Sequence, residues 1–207
     1  MPKTLLVCVL FSISACACNL GHAAQTLLVF GDSLSAGFGI SQAQSWPTLL
    51  AERLEREHYP YQVANVSISG ETTSGGASRL GPALRQFKPA IVIIELGAND
   101  GLRGLPVQQM RANLDAMIRQ SAASHARVLL VGIRLPPNYG VKYTTDFAKV
   151  YADLAKRHHI AFLPFLFDGF AGKRDAFQDD GLHPTAASQP LLLDNVWRAL
   201  KPLLNKP

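Results

Sequence analysis

Short runs of apolar residues alternate along the chain with longer stretches in which apolar positions recur every three or four residues. Side chains alternate between faces in a strand and repeat every 3.6 residues in a helix, so the runs predict strands and the stretches predict helices. The predicted strands span 26–30, 62–68, 90–96, 127–133 and 160–163. The predicted helices span 46–57, 73–87, 107–123, 146–158 and 185–204, the last interrupted near Pro190. This alternation is typical of βαβ units.

Two of the predicted strands indicate where they lie in the sheet. Strand 90–96 contains the unbroken apolar run Ile91-Val92-Ile93-Ile94, which is typical of a central strand buried on both faces. Strand 62–68 is interrupted by Asn65 and Ser67, which favours a position towards a sheet edge. The pattern therefore predicts a three-layer α/β/α sandwich with a five-stranded parallel sheet.

The first 23 residues predict a secretory signal peptide, which leaves 24–207 as a single domain. Lys3 supplies a positive charge, residues 5–13 form a short apolar run, and Gly21-His22-Ala23 offers small residues for cleavage after Ala23. We therefore expect a periplasmic or secreted protein. An N-terminal membrane anchor would need about 20 apolar residues, and Ser12, Ser14 and Asn19 interrupt this segment. A lipobox at Ile13-Ser14-Ala15-Cys16 is a second alternative, in which acylated Cys16 would anchor the protein.

Composition and charge narrow the possible partners. The chain has 207 residues, of which 48% are hydrophobic, and a formal net charge of +5. Because its basic residues are scattered and form no run, we expect no nucleic-acid partner. All three cysteines lie within residues 1–23, so the mature domain would carry no thiol. We expect a monomer without stable membrane insertion.

Four polar blocks carry the candidate chemistry. Three of them follow the first three predicted strands, and the fourth lies near the C-terminus. In chain order they are Gly31-Asp32-Ser33-Leu34-Ser35, Ser69-Gly70-Glu71, Gly97-Ala98-Asn99-Asp100 and Asp180-Gly181-Leu182-His183. An Asp three residues before a His can orient the imidazole, which can then activate a distant serine. The blocks therefore predict a serine nucleophile assembled at the carboxyl edge of the sheet.

The second and third blocks could supply hydrogen-bond donors to a developing oxyanion. Gly70 would do so through its backbone N–H and Asn99 through its side-chain amide. Gly31 is expected to permit a tight turn before the serine. Asp100 is left outside the site, because an Asp beside Asn99 can cap the segment that follows it.

The ordered blocks resemble those of the SGNH (GDSL-type) hydrolases, with Ser33, Gly70, Asn99 and His183 as the four named residues. Further stretches are similar to the bacterial multifunctional thioesterase I/protease I/lysophospholipase group, namely 26–37, 95–104, 134–140 and 178–184. The resemblance implies the flavodoxin-like strand order 2-1-3-4-5. It also implies Asp180, rather than Asp179, as the partner of His183.

The resemblance implies a serine esterase that hydrolyses esters and thioesters of medium to long acyl chains, including acyl-CoA, lysophospholipids and aryl esters. Ser33 would attack, His183 would act as general base, and Asp180 would orient the imidazole. The Ser33 N–H, the Gly70 N–H and the Asn99 amide would form the oxyanion hole. No cofactor or metal is expected, because the mature chain lacks His-x-x-x-His and any cysteine cluster.

Two other functions would predict different residues in this sequence. A carbohydrate esterase that removes acetyl groups would need a small polar pocket. Five apolar residues after the predicted strands favour a hydrophobic groove instead, namely Leu102, Leu105, Ile133, Leu135 and Pro136. A catalytically silent ligand-binding protein would be expected to lack Ser33, Asn99 or His183, and all three are present.

Overall fold

Strands and helices alternate along residues 24–205, the part of the chain that this computed structural model describes. The predicted signal peptide and the lipobox cysteine Cys16 lie outside the described residues. In that range the strands form one parallel sheet with the order β2-β1-β3-β4-β5. The strands are β1 (Gln25–Gly31), β2 (Tyr61–Asn65), β3 (Ile91–Glu95), β4 (Arg127–Val131) and β5 (Ala161–Leu163). The implied strand order is therefore confirmed.

Burial along the strands agrees with the positions predicted for them. Every residue of β3 is buried, as the apolar run of this central strand predicted. β2 lies at an edge of the sheet and is mostly only half-buried. It ends at Asn65, where polar side chains form hydrogen bonds to the backbone after β1. The Asn65 amide donates to the Ser35 carbonyl, and the Ser67 hydroxyl accepts from the Gly31 N–H.

Helices cover both faces of the sheet and complete the three-layer sandwich. They are α1 (Ser33–Ala36), α2 (Trp46–Arg56), α3 (Thr73–Phe87), α4 (Ala98–Leu102), α5 (Val107–Ala123), α6 (Val141–His158) and α7 (Gln189–Leu200). α5 packs between α3 and α6, whereas α2 packs against α7. Within 24–205 no helix is both long and apolar enough to span a membrane.

The structure differs from the predicted helices in three places. α1 and α4 were not predicted, because four or five residues are too few to show a helical period. α6 begins at Val141, five residues before the predicted start. The predicted helix 185–204 is divided into α7 and two flanking 3₁₀ turns. Pro190 lies in the first turn of α7, where a missing N–H is tolerated, so it begins this helix and does not interrupt it.

The topology brings the polar blocks to one edge of the sheet. Ser33 follows β1, Gly70 follows β2 and Asn99 follows β3, so all three lie beyond the carboxyl ends of adjacent strands. The strand order reverses between β1 and β3, where open α/β sheets commonly bind ligands. The long connection after β5 returns to this edge and carries His183.

Candidate active site

Ser33, His183 and Asp180 form a continuous line of hydrogen bonds. The Ser33 Oγ lies 2.8 Å from the His183 Nε2, and the His183 Nδ1 lies 2.6 Å from the Asp180 Oδ2. When Nδ1 donates to the carboxylate, Nε2 is left to accept the serine proton. The serine and the histidine are 150 residues apart in the sequence, and the loop after β5 brings the histidine back to the serine. This arrangement can activate a serine hydroxyl.

The Asp180 carboxylate is fixed by its own loop as well as by the imidazole. Its Oδ1 accepts the N–H groups of Leu182 at 2.8 Å and of His183 at 3.0 Å. Partial burial alone would raise the pKa of Asp180, but these N–H groups and the imidazole outweigh it and lower the pKa to about 2. The carboxylate is thus ionised at neutral pH. Asp179 contributes only a backbone carbonyl, which accepts from Arg174.

Three candidate N–H donors belong to residues that line one cavity, namely Ser33, Gly70 and Asn99. Ser33 begins α1, and the structure gives no hydrogen bond from its N–H, or from that of Gly70, to any residue of 24–205. Gly70 has a φ of +78°, a left-handed conformation that glycine adopts without strain. The Asn99 Nδ2 lies 3.0 Å from the Glu71 carbonyl oxygen and 3.2 Å from the Asp32 Oδ2. These groups can donate to an oxyanion.

Two arginines hold the loop that carries Gly70. Arg79 Nε donates to the Glu71 carboxylate at 2.7 Å, and its Nη1 donates to the Val66 carbonyl. Arg103 Nη2 donates to the Gly70 carbonyl at 3.0 Å. These hydrogen bonds restrain the loop that carries the Gly70 N–H. Neither arginine was singled out in the sequence, since each also donates to a backbone carbonyl that no side-chain pattern marks.

The expectation for Asp100 was wrong in its detail. Asp100 lies within α4, and its carboxylate accepts the Thr73 N–H at 2.8 Å and the Thr73 hydroxyl at 2.5 Å. It therefore joins α4 to the start of α3 and does not cap the segment that follows it. The acceptor is 27 residues from its donor in the chain, so no local pattern could reveal this contact.

An apolar cavity of about 640 Å³ opens beside Ser33 and His183. Four of the five predicted groove residues line it, namely Leu102, Ile133, Leu135 and Pro136. Leu105 does not and is exposed. Aromatic side chains that the sequence analysis missed complete the wall, namely Phe38, Phe165, Phe167 and Phe177. The aromatic-rich stretch directly after β5, at the edge where ligands bind, was the signal that could have revealed Phe165 and Phe167.

The geometry agrees with a comparison of the whole sequence. The model of the GDSL-like lipase/acylhydrolase family matches residues 29–189. The chain belongs to this family. The acylhydrolase is 51% identical over 182 residues to "Esterase TesA" of Pseudomonas aeruginosa, covering 88% of this chain and 90% of the relative. It is 42% identical over 183 residues to "Thioesterase 1/protease 1/lysophospholipase L1" of Escherichia coli strain K12, covering 88% and 86% respectively.

A solved structure is similar as well. The crystal structure of the psychrotrophic esterase EstA from Pseudoalteromonas sp., inhibited by monoethylphosphonate, has a TM-score of 0.82 and 40% sequence identity. The match covers 86% of this chain and 97% of the EstA chain. The acylhydrolase is therefore a serine hydrolase that acts on ester bonds.

Two buried carboxyl groups lie beneath the serine of this acylhydrolase. Asp32 and Glu95 are both fully buried. Burial raises the pKa of Asp32 to about 7, although hydrogen bonds from the Leu34 N–H and the Asn99 amide oppose the change. Burial, followed by repulsion from Asp32, raises the pKa of Glu95 well above its usual range. In the part of the acylhydrolase that the structure describes, no three His, Cys, Asp or Glu side chains cluster to hold a metal ion.

Proposed function

We propose that Ser33 is the nucleophile, His183 the general base and Asp180 the residue that orients the imidazole. The Ser33 Oγ forms a bond to the acyl carbon while His183 Nε2 takes the hydroxyl proton. The tetrahedral intermediate then collapses, the bond to the leaving oxygen or sulfur breaks, and His183 returns a proton to that atom. Water repeats these steps on the acyl-serine and releases the acid. The unbroken hydrogen-bonded line from Ser33 through His183 to Asp180 carries this proposal.

The oxyanion is stabilised by the Ser33 N–H, the Gly70 N–H and the Asn99 side-chain amide. Among residues 24–205 the Ser33 and Gly70 N–H groups have no other acceptor, and Arg103 donates to the Gly70 carbonyl. Donors that are oriented before the substrate binds need no reorganisation when charge develops on the acyl oxygen. They contribute most in the transition state, because the carbonyl oxygen of the bound ester carries less charge.

The substrates proposed are esters and thioesters with medium to long acyl chains. The apolar cavity beside the nucleophile supports this, since each buried methylene contributes about 0.8 kcal/mol. The name of the Escherichia coli relative includes thioesterase and lysophospholipase, which are activities on acyl thioesters and acyl esters. The carbohydrate acetylesterase alternative is less well supported, because an acetyl group would leave most of this cavity unfilled.

The site needs no cofactor under this proposal, because its nucleophile, base and oxyanion donors are all protein groups. We further propose that residues 1–23 are a signal peptide and that 24–207 form a periplasmic or secreted monomer. The positive residue, short apolar run and small residues before position 24 support the signal peptide.

A panel of p-nitrophenyl esters from acetyl to palmitoyl tests the substrate proposal, with Ser33→Ala as the blank. We expect kcat/KM to rise by up to about fourfold per added methylene until the cavity is filled, which corresponds to about 0.8 kcal/mol each. Acyl-CoA and lysophospholipid, assayed in parallel, should also be hydrolysed. Fastest hydrolysis of the acetyl ester, with no gain from longer chains, would favour the carbohydrate esterase instead.

A further inference from the structure

The Asn99 amide is held between a buried carboxylate and an exposed loop. Its nitrogen carries two hydrogens, and two acceptors are within reach before any substrate arrives. The Glu71 carbonyl oxygen lies at 3.0 Å on the loop of Gly70, while the Asp32 Oδ2 lies at 3.2 Å on the buried side. An oxyanion that accepts from Asn99 must therefore displace one of these two partners.

The two partners differ in how readily they can be displaced. The Glu71 carbonyl is neutral, so a negatively charged oxyanion is the stronger acceptor for the same hydrogen. Asp32 is fully buried and is absent from the wall of the cavity, so the substrate cannot take its place. The hydrogen that points to the loop is the one available for the reaction.

Asp32 also holds the turn that carries the nucleophile. Its Oδ1 accepts the Leu34 N–H at 3.0 Å, in the first turn of α1, one residue after Ser33. A single side chain thus contacts the serine turn after β1 and the Asn99 amide after β3. This contact sets the position of one oxyanion donor relative to the attacking oxygen.

We propose that Asp32 is a positioning residue, which holds one Asn99 hydrogen from the buried side so that the other passes from the Glu71 carbonyl to the oxyanion. The proposal rests on the oxyanion-hole role assigned to Asn99 above. Asp32 does not touch the substrate and acts only through Asn99 and the serine turn. Its carboxylate form is the one that accepts both hydrogen bonds.

Glu95 completes this support from the neighbouring strand. It pairs with Gly31 in the sheet register, and its Oε2 accepts the Ser35 hydroxyl at 2.7 Å. A Cβ on Gly31 would lie 2.7 Å from that carboxylate oxygen and 2.8 Å from the Ser35 hydroxyl. Gly31 is therefore required for space beside Glu95, and not for a turn as the sequence suggested. Its φ is not positive.

Other carboxyl groups surround Asp32. Glu95 faces it from β3, Asp100 from α4 and Glu71 from the loop after β2, and repulsion among these groups disfavours a further negative charge. Burial, followed by repulsion from Asp32, raises the pKa of Glu95 well above its usual range. Burial raises the pKa of Asp32 to about 7, so the carboxylate that accepts from Leu34 and Asn99 forms near neutral pH.

Asp32→Asn tests the proposal, because the amide has the same shape but offers one accepting oxygen in place of two. We expect kcat to fall by at least about 10-fold, with KM nearly unchanged. The loss should not exceed the roughly 10²- to 10³-fold decrease that follows removal of an oxyanion donor. Asp153→Asn on α6 is the control, since its half-buried carboxylate pairs with Lys149 and Arg111 and, within residues 24–205, with no group of the proposed site. Its kcat should equal that of the wild type.

A double-mutant cycle separates positioning from a general structural effect. In the Asn99→Ala background, Asp32→Asn should lower kcat by less than about threefold, because the donor that it aims is already gone. An equal loss in both backgrounds, or no loss in either, would overturn the proposal. If Asn99→Ala itself retains wild-type kcat, the oxyanion role of Asn99 fails as well, and the two failures are thus distinguished.

A measurement on the unaltered enzyme guards against a variant that does not fold. The side-chain amide signals of Asn99, assigned by their absence from the spectrum of Asn99→Ala, can be followed by ¹⁵N NMR as pH is varied. We expect both amide protons to shift as Asp32 titrates between about pH 5 and about pH 9. Signals that stay fixed across this range would show that Asp32 does not hold the amide.

Discussion

Replacing Asp32 with asparagine should change how the stability of the protein depends on pH. Burial raises the pKa of Asp32 from an ordinary 3.8 to about 7, so the folded state binds this proton more tightly than the unfolded state does. As pH rises from about 4 to about 7, the unfolded chain releases the proton first, and the free energy of unfolding falls. The wild-type protein thus loses stability across this window, and the loss is complete above it.

The size of the change in unfolding free energy follows from the change in the pKa of Asp32. One pKa unit corresponds to about 1.4 kcal/mol, so ionising Asp32 in the folded state costs on the order of 4 kcal/mol at most. Asp32→Asn carries no titrating group at this position. The difference in unfolding free energy between variant and wild type should therefore move in favour of the variant as pH rises. The hydrogen bonds that Asp32 accepts from Leu34 and Asn99 are already included in its pKa, because they oppose the effect of burial.

Urea unfolding of both proteins between about pH 4 and about pH 8.5 measures this difference directly. Asp153→Asn is the matched control, because hydrogen bonds and charge from Lys149 and Arg111 lower the pKa of Asp153, and its titration falls below the window. That variant should differ from the wild type by a constant. If the difference in unfolding free energy between Asp32→Asn and the wild type is constant as well, the prediction is wrong. Asp32 would then ionise as easily in the folded protein as in the unfolded chain.

Two further predictions concern the chemistry. Asn99→Ala should lower kcat by roughly 10²- to 10³-fold with little change in KM, and Asn99→Asp should be no better, because it replaces a donor with a negative charge. If Asn99 only ended the strand, kcat would be near normal and the protein less stable. Steady-state kinetics and melting temperatures of both variants distinguish the two roles. A chelator should leave activity unchanged, because the proposed nucleophile, base and oxyanion donors are all protein groups. Loss of activity in EDTA that a divalent metal restores would contradict the cofactor-free mechanism.

Local sequence patterns were enough to predict the parallel sheet, and together with the resemblance to the SGNH hydrolases they supplied the candidate site residues. The apolar runs mark strands because burial on both faces leaves few polar positions, and the polar blocks mark the points where these strands end. The parallel topology then brings Ser33, Gly70 and Asn99 to one edge. The partnership of Asp180 with His183 was also accessible, since three residues separate them and one loop fixes both.

Contacts between distant parts of the chain could not be predicted in the same way. Asp32 reaches Asn99 across 67 residues, and Glu95 reaches Ser35 across 60, so neither contact leaves a periodic signal. Helices α1 and α4, with four and five residues, are too short to show a periodic pattern of apolar positions. Leu105 was misplaced because the chain reverses direction at Gly104, where φ is +65°, and the leucine is left exposed.

Covalent labelling tests whether Ser33 is the nucleophile. A serine-directed phosphonate should add one group per chain, and peptide mass spectrometry should locate it on Ser33 in proportion to the activity lost. Folded Ser33→Ala should take up no label and hydrolyse no ester, because the nucleophile and His183 act as one unit. A label on another residue, or ester hydrolysis that persists in folded Ser33→Ala, would contradict the account.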